Sequence, residues 1–184
     1  MLPKLHLICS TDELRPAMTY VQITRKDLRA TDGWSLAIIP TEKTALAQVE
    51  LPETPVYLHR DSYKLLTAPS IVTIVFDPLS DQFIAYHKGN KPYTVVPLTK
   101  MDERYPDFEP LIPRWSDATP LDMICVNPKL LLNLAEAIAE PGQKNLNVAL
   151  GLIAKNRCLL VKSLESGMDS TALIMPIYVG NPPF

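Results

Sequence analysis

The chain has 184 residues, 47% of them hydrophobic, and carries 18 basic against 20 acidic side chains, a formal net charge of −2 at pH 7. This length and composition exclude wholesale disorder and predict one large domain or about one and a half small ones, while the charge excludes non-specific DNA binding by bulk positive charge. The 18 prolines, against 6 glycines, exclude long-helix bundles and coiled coils because proline interrupts helices.

The first segment, which runs to about residue 55, has the pattern of three short strands. Alternating or apolar stretches predict strands over residues 18–23, 28–30 and 34–39, joined by a polar hairpin and a tight turn. Pro40 ends the third strand, and no convincing helix follows it.

The second and third segments share one order of elements, which is strand–helix–strand–strand–strand. In the second segment the elements are predicted over residues 56–58, 60–68, 71–76, 82–87 and 93–98, before an extended proline-rich tail over 104–113. In the third segment they are predicted over residues 121–126, 127–140, 146–153, 158–164 and 171–178, with Asn127 and Pro128 as a strong helix start. The stretch 71–76 is a continuous apolar strand. This internal repeat predicts an α+β fold of mostly antiparallel sheets with a few short helices.

The three cysteines and the amino-terminal stretch indicate the compartment. Cys9, Cys125 and Cys158 are odd in number, far apart and flanked by apolar residues, which predicts buried thiols in a reducing cytoplasm. The amino-terminal stretch is too short and proline-broken for a signal peptide, and no apolar run reaches the roughly 20 residues of a membrane span. We therefore expect a soluble cytoplasmic protein without membrane contact.

No pattern in the sequence is typical of an enzyme. His6, His59 and His87 lie in separate segments without a nucleophile pattern beside them, and the glycines form no phosphate-binding loop. His6 and Cys9 have a two-residue gap, but no second pair at metal-ligand spacing follows. We therefore expect no catalytic activity, no cofactor and no metal site.

Several stretches follow the pattern of one protein family. They are residues 15–23 (RPAMTYVQI), 28–37 (LRATDGWSLA), 104–108 (RYPDF) with the proline at 113, 126–131 (VNPKLL) and 172–177 (ALIMPI). Taken in order, they cover most of the chain and resemble the bacterial DNA polymerase III beta subunit (sliding clamp) family. The chain departs from the family pattern at Tyr20, which stands where the family has glycine, and at Trp34, which follows the Thr-Asp-Gly stretch.

The resemblance implies a shortened, divergent clamp. Clamps of this family have three domains per chain, each built from two helix-bearing halves, and two chains close a ring around DNA. This chain matches about three half-units: a domain over residues 1–113, whose first half lacks its helix, and a single half-domain over 114–184. A ring would therefore need about four chains, or the protein forms no ring.

The resemblance also implies a cleft in which polymerases and repair factors dock a short hydrophobic peptide. The positions that match this cleft are Met18, Thr31, Gly33, Trp34, Leu36, Pro113, Leu173 and Met175. Apolar side chains from three strands and a rigid proline suit an extended peptide. The alternative is that these residues form only a core between segments, because apolar strand ends are more often core than pocket.

A second implied feature is a set of helical cations that face DNA. The candidates are Arg60 and Lys64, four apart on one helix face, and Lys129 on the helix of the third segment. That second helix also carries Glu136 and Glu140, which oppose phosphate binding. An ordinary solvated helix face is the alternative interpretation.

The sequence supports two functional hypotheses. The first is a clamp-like DNA replication accessory, or processivity, protein that docks polymerase or other replication-protein peptides and encircles double-stranded DNA if it forms a homo-oligomer. The second is a non-ring interaction or regulatory protein of a phage or mobile element, which uses the clamp fold to bind replication proteins. The acidic helix face favours the second hypothesis, and the pair Arg60 and Lys64 favours the first.

Overall fold

The computed structural model describes residues 1–88, 92–101, 103–112, 125–140, 143, 146–152, 158–164 and 170–177. Within them lie the strands β1 (Tyr20–Ile23), β2 (Asp27–Thr31), β3 (Ser35–Pro40), β4 (Val56–His59), β5 (Ile71–Asp77), β6 (Gln82–His87), β7 (Pro92–Pro97), β8 (Val148–Leu152), β9 (Leu159–Ser163) and β10 (Thr171–Ile174). The helices are α1 (Arg60–Leu65) and α2 (Pro128–Ile138), and short 3-10 turns lie at Leu5–Leu7, Pro16–Thr19, Thr41–Lys43 and Glu109–Leu111. These elements confirm the predicted α+β class.

The described strands form two antiparallel sheets. The large sheet has seven strands in the order β4-β1-β2-β3-β10-β9-β8, and the small sheet has three in the order β5-β6-β7. The first and third segments meet where β3 pairs with β10, which places Leu36 opposite Leu173 and Ser35 opposite Ile174. We call this pairing the joint. It brings residues that are more than a hundred positions apart in the sequence onto neighbouring strands.

The start of α2 agrees with the sequence. The Asn127 side chain accepts a hydrogen bond of 3.0 Å from the backbone N–H of Lys129, and Pro128 occupies the first helical position. Both features satisfy or avoid the free donors at a helix start. One face of the helix is buried through Leu134, Ala137 and Ile138, a spacing that one helical face provides.

Several predicted elements differ from the structure. Residues 16–19 form a 3-10 turn, in which the Thr19 hydroxyl donates to the Pro16 carbonyl at 2.8 Å, so the strand begins only at Tyr20. Helix α1 ends at Leu65, three residues before its predicted end. One 3-10 turn interrupts the tail that was predicted to be wholly extended. The predicted strand 121–126 falls mainly on residues 121–124, which lie outside the described residues.

The β5 strand, a continuous apolar run in the sequence, is only partly buried. Val72 is 59% exposed and Val75 is 41% exposed, whereas Ile74 is buried. The strand lies at an edge of the small sheet, and only one face of that sheet packs against the core. A continuous apolar run here therefore belongs to a half-covered strand rather than to a strand buried on both faces.

The main core combines the two sheets, both helices and the amino-terminal turn in one cluster of buried apolar side chains. Tyr63 of α1 lies fully buried in it, and its hydroxyl donates to the Pro3 carbonyl at 2.9 Å. This bond ties the amino-terminal segment to α1. It also satisfies a hydroxyl that would otherwise be costly to bury.

The outer face of the large sheet is covered near the joint by residues 103–112, which we call the strap. Its aromatic residues pack in a second buried cluster with side chains of β3, β9 and β10 (Leu36, Ile38, Tyr105, Phe108, Leu160 and Leu173). The Tyr105 hydroxyl lies 3.3 Å from the carbonyl oxygen of Tyr20 and 3.2 Å from that of Arg29, and donates between them. The strap therefore fixes the strands of the joint from outside.

Ion pairs hold the carboxyl end of the strap. The Arg29 guanidinium contacts Asp27 at 2.7 Å and Glu109 at 2.7 Å, with Arg29 and Asp27 side chains only 14% and 6% exposed. The hydrogen bond that Arg29 donates to Asp27 is the main cause that raises the pKa of Arg29. Charged groups with this little exposure must be paired, so Arg29 links β2 to the strap.

The predictions for the cysteines, the domain boundary and membrane spans have different outcomes. Of the cysteines predicted to be buried, Cys9 is, but Cys125 and Cys158 are only half-buried, and all three are free thiols. The boundary between residues 113 and 114 lies outside the described residues, so the domain division stays a prediction. No helix in the described part of the chain is long and apolar enough to span a membrane.

Candidate functional site

The turn between β2 and β3 is built by side-chain hydrogen bonds. The Thr31 hydroxyl donates to the Ser35 carbonyl at 2.7 Å and accepts from the Gly33 N–H at 3.0 Å. One carboxylate oxygen of Asp32 accepts from the N–H groups of Trp34 at 2.9 Å and Ser35 at 2.6 Å. Such local bonds are typical of Asp and Thr in turns, and they fix where the Trp34 side chain leaves the backbone.

Gly33 is required in this turn for two reasons. Its φ of +88° is a conformation that other residues rarely adopt. In addition, a Cβ at this position would lie 3.0 Å from Nη1 of Arg15 and 3.5 Å from the sulfur of Met18. The glycine therefore lets Arg15 and Met18 approach the turn from the other side.

The joint continues beyond the paired strands to the next residue on each side. The N–H of Met175 donates to the carbonyl of Trp34 at 2.7 Å. Trp34 and Met175 are therefore held together by their backbones at the end of the joint. Their side chains are both well exposed, at 60% for Trp34 and 42% for Met175.

These elements surround a cavity of about 510 Å³ at the end of the joint, which we call the cleft. Seven of the residues predicted from the resemblance line it together: Met18, Thr31, Gly33, Trp34, Leu36, Leu173 and Met175. The eighth, Pro113, lies outside the described residues. The turn, the joint and the 3-10 turn before β1 thus place these residues around one space.

The cleft is also lined by four residues that the sequence did not single out: Ser35, Phe108, Pro110 and Cys158. Phe108 and Pro110 come from the strap, and the RYPDF stretch was the available signal for them. Cys158 precedes β9, and its apolar neighbours gave no sign that it would face a cavity.

The cleft has a buried floor and an exposed rim. Leu36 and Leu173 are each 6% exposed and belong to the second buried cluster, whereas Trp34 and Met175 are exposed. The core interpretation therefore describes the floor, and the rim leaves apolar surface open to solvent. No Lys, Arg, Asp or Glu among the described residues lines this cavity.

The predicted DNA-facing cations surround the amino-terminal turn, though not all at one place. Arg60, half-buried, donates to the Ser10 carbonyl at 3.3 Å and lies 3.8 Å from the Asp61 carboxylate. Arg60 and Lys129 line a groove of about 530 Å³, and Lys64 does not. The structure thus brings together two of the three candidates.

The pKa of His6 is lowered by its burial and by the positive charge of this region. Burial, followed by the charges of Lys64, Arg60 and Lys4, lowers the pKa of His6 to about 4. On α2, Glu136 pairs with Lys4 at 3.4 Å, so its charge is partly compensated. Glu140, which the sequence predicted on the same helix, lies beyond the helix end at Ile138. Burial also raises the pKa of Cys9 to about 12, which makes this thiol unreactive at neutral pH.

Among the described residues no cluster of three or more His, Cys, Asp or Glu side chains is placed to hold a metal ion. In particular, the Cys9 thiol donates a hydrogen bond of 3.6 Å to the Leu5 carbonyl oxygen. The site is thus an apolar cleft beside a basic groove.

Bacterial sliding clamps are among the solved structures with a similar fold. DNA polymerase III beta chain from Streptococcus pneumoniae superposes with a TM-score of 0.62 at 18% identity, over 96% of this chain and 62% of its own. The subunit beta from Borrelia burgdorferi, solved in complex with a natural product, gives 0.64 at 13% identity over 96% and 61%. The sliding clamp from Bacillus subtilis gives 0.55 at 18% identity over 97% and 63%. The chain has the fold of the bacterial sliding clamps.

The match extends over nearly all of this chain but over only about three fifths of the length of these clamps. This agrees with the shortened clamp that the sequence resemblance predicted. No protein-family model and no curated protein sequence matches the chain. The similarity therefore shows the fold alone. What the surface residues of this chain bind has to be argued from their own chemistry.

Proposed function

We propose that the protein is a non-enzymatic, clamp-like replication accessory protein that binds short hydrophobic peptides of replication proteins in the cleft. One observation carries the proposal: residues from β2, β3, β10 and the strap converge on one open apolar cavity, and none of the described residues that line it is charged. Clefts of this composition bind apolar side chains of a ligand, since water is readily displaced from them.

The rim explains how a peptide would be held. Trp34 and Met175 present large exposed side chains on a backbone that is fixed by the bond between them. A tryptophan on a rigid turn loses little conformational entropy on binding and is a frequent hot spot of interfaces. Met18 and Met175 add side chains that adapt to different apolar partners.

The test is a titration of a fluorescein-labelled peptide, an extended segment with a Leu-Phe pair, followed by anisotropy. Trp34→Ala and Met175→Ala should each weaken binding by about tenfold or more. Leu79→Ala is the matched control, because Leu79 is a 97% exposed hydrophobic residue in the turn between β5 and β6. Absence of binding by the wild type, or equal losses in the control, would remove the proposal.

Encircling double-stranded DNA is the second part of this proposal, and it requires a homo-oligomer. Support comes from Arg60 and Lys129, which line one groove, and from the free edges of β5 and β7 in the described small sheet. Strand edges are common sites of pairing between chains. Retention on closed-circular but not on linear DNA would support a ring, and a strict monomer at high protein concentration would exclude one.

The alternative proposal is a regulatory protein of a phage or mobile element that forms no ring and sequesters replication-protein peptides in the same cleft. Glu136 of α2 favours it, because its carboxylate opposes phosphate. Under this alternative the labelled peptide binds as above, but closed-circular and linear DNA are retained equally poorly.

A further inference from the structure

A polar groove lies on the other side of Trp34 from the cleft. It has a volume of about 530 Å³ and lies between the amino-terminal segment, the turn after β2 and the starts of both helices. Trp34 lines both cavities. A peptide that leaves the cleft past this side chain would therefore enter the groove.

Three cations line the groove, namely Arg15, Arg60 and Lys129. Lys129 is exposed and makes no ion pair among the described residues. Arg15 lies within 3.0 Å of the position that a Cβ on Gly33 would occupy, so its guanidinium stands beside the boundary with the cleft. Arg15 and Arg60 each lie near one carboxylate, Asp12 at 3.9 Å and Asp61 at 3.8 Å, so the charge of Lys129 is the most available to a ligand.

The carboxylates on the same walls already have partners. Asp32 accepts from two backbone N–H groups and from the Ser35 hydroxyl with one oxygen. Asp12 accepts from the N–H of Leu14 and lies 3.9 Å from Arg15. They reduce the positive charge of the groove without closing it, and they oppose a ligand with many negative charges.

From this arrangement we infer that the groove binds a carboxylate side chain that flanks the hydrophobic part of the peptide held in the cleft. This inference rests on the proposed function and specifies the partner as an acidic-hydrophobic peptide. A peptide is favoured over nucleic acid because one carboxylate meets Lys129 and its neighbours, while a run of phosphates would also meet Asp12 and Asp32. The cleft supplies the apolar contacts, and the groove selects the charge.

The experiment compares two labelled peptides that both carry the Leu-Phe pair and differ only in two flanking residues, Asp-Asp or Asn-Asn. At low salt the acidic peptide should bind about fivefold more tightly, and the difference should disappear at 0.5 M NaCl because salt screens exposed charges. Lys129→Gln should abolish the advantage of the acidic peptide and leave the affinity of the Asn-Asn peptide unchanged. Lys43→Gln, a change of another exposed lysine outside the groove, is the matched control.

The outcomes separate the inference from the proposed function. Equal binding of the two peptides would overturn the acidic preference and leave the cleft proposal intact. Absence of binding by both would overturn both. A single-stranded oligonucleotide that binds more tightly than the acidic peptide, and loses affinity in Lys129→Gln, would assign the groove to nucleic acid instead.

Discussion

The two sheets of this molecule differ in their cover: among the described residues, apolar side chains cover both faces of the large sheet but only one face of the small sheet. In β3, Ala37 and Ile39 face the main core while Leu36 and Ile38 face the strap, and all four are buried. In the small sheet, the outer face carries a row in which Val75 is opposite Ile84 and Ile84 is opposite Val95. Val75 and Val95 remain 41% and 48% exposed.

This difference explains why the candidate site lies where it does. The strap and the joint rigidify the large sheet, and the cleft forms where their cover ends beside Trp34 and Met175. The small sheet has comparable apolar surface but no fixed walls around it in the described residues. An apolar residue becomes part of a binding site only where neighbouring elements give it a concave setting.

The largest expected effect of a substitution is loss of the strap contact. Tyr105→Ala should reduce the free energy of unfolding by about 4 kcal/mol, because the variant loses a buried ring and the hydroxyl that donates between two carbonyl oxygens. Urea unfolding measures this change. Val95→Ala on the outer face of the small sheet should cost less than about 1 kcal/mol; equal losses in the two variants would contradict the difference between the sheets.

The ion pair beneath the strap should give a somewhat smaller loss. Arg29→Met leaves Asp27 buried without its cation, at an expected cost of about 3 kcal/mol in unfolding free energy. Adding Asp27→Asn should recover part of this loss, since the buried charge is then removed. A single variant that unfolds like the wild type would show that the pair does not hold the strap.

Acidification should destabilise the fold through His6, which lies in the amino-terminal 3-10 turn. The pKa of His6 is lowered from 6.5 to about 4 in the folded state, so between these values the unfolded chain binds more protons. Above pH 6.5 His6 therefore costs no stability. Below this pH the free energy of unfolding declines, by about 2 kcal/mol at pH 5.

His6→Leu should remove this pH dependence, while His87→Gln, which changes a half-buried histidine of the small sheet, should retain it. The measurement is the urea midpoint at pH 7 and pH 5 for each variant. An unchanged pH dependence in His6→Leu would contradict the assignment to His6.

The smallest effect is expected on the open face of the small sheet. Val75→Thr keeps a β-branched side chain and removes apolar surface that is already partly in water, so stability should change by less than about 0.5 kcal/mol. A thermal unfolding curve is sufficient. A loss of more than 1 kcal/mol would mean that this face is covered after all.

The sequence predicted the elements whose causes are local. Asn127 and Pro128 start α2 because the cap and the fixed φ act within a few residues. The 3-10 turn at Pro16–Thr19 was missed because its alternating residues also fit a strand. The strand β5 was predicted, but its exposure was not, because exposure of an edge strand depends on what packs against it.

The candidate site was likewise predictable from the sequence only where its contacts are local. The turn residues Thr31 and Gly33 are recognisable from the sequence because their bonds are local. Phe108 and Cys158 reach the cleft only through the strap and the pairing of β9 with β10. No single stretch contains that information, and only the family resemblance had indicated that distant stretches meet.

The central claim, that the cleft binds a hydrophobic peptide, is tested most directly at Cys158. This half-buried thiol lines the cleft, whereas Cys9 is buried with a pKa of about 12. In a Cys125→Ser variant, the rate of alkylation of Cys158 by iodoacetamide is measured by mass spectrometry with and without the Leu-Phe peptide. We expect saturating peptide to slow the alkylation by about tenfold or more; an unchanged rate would contradict binding in the cleft.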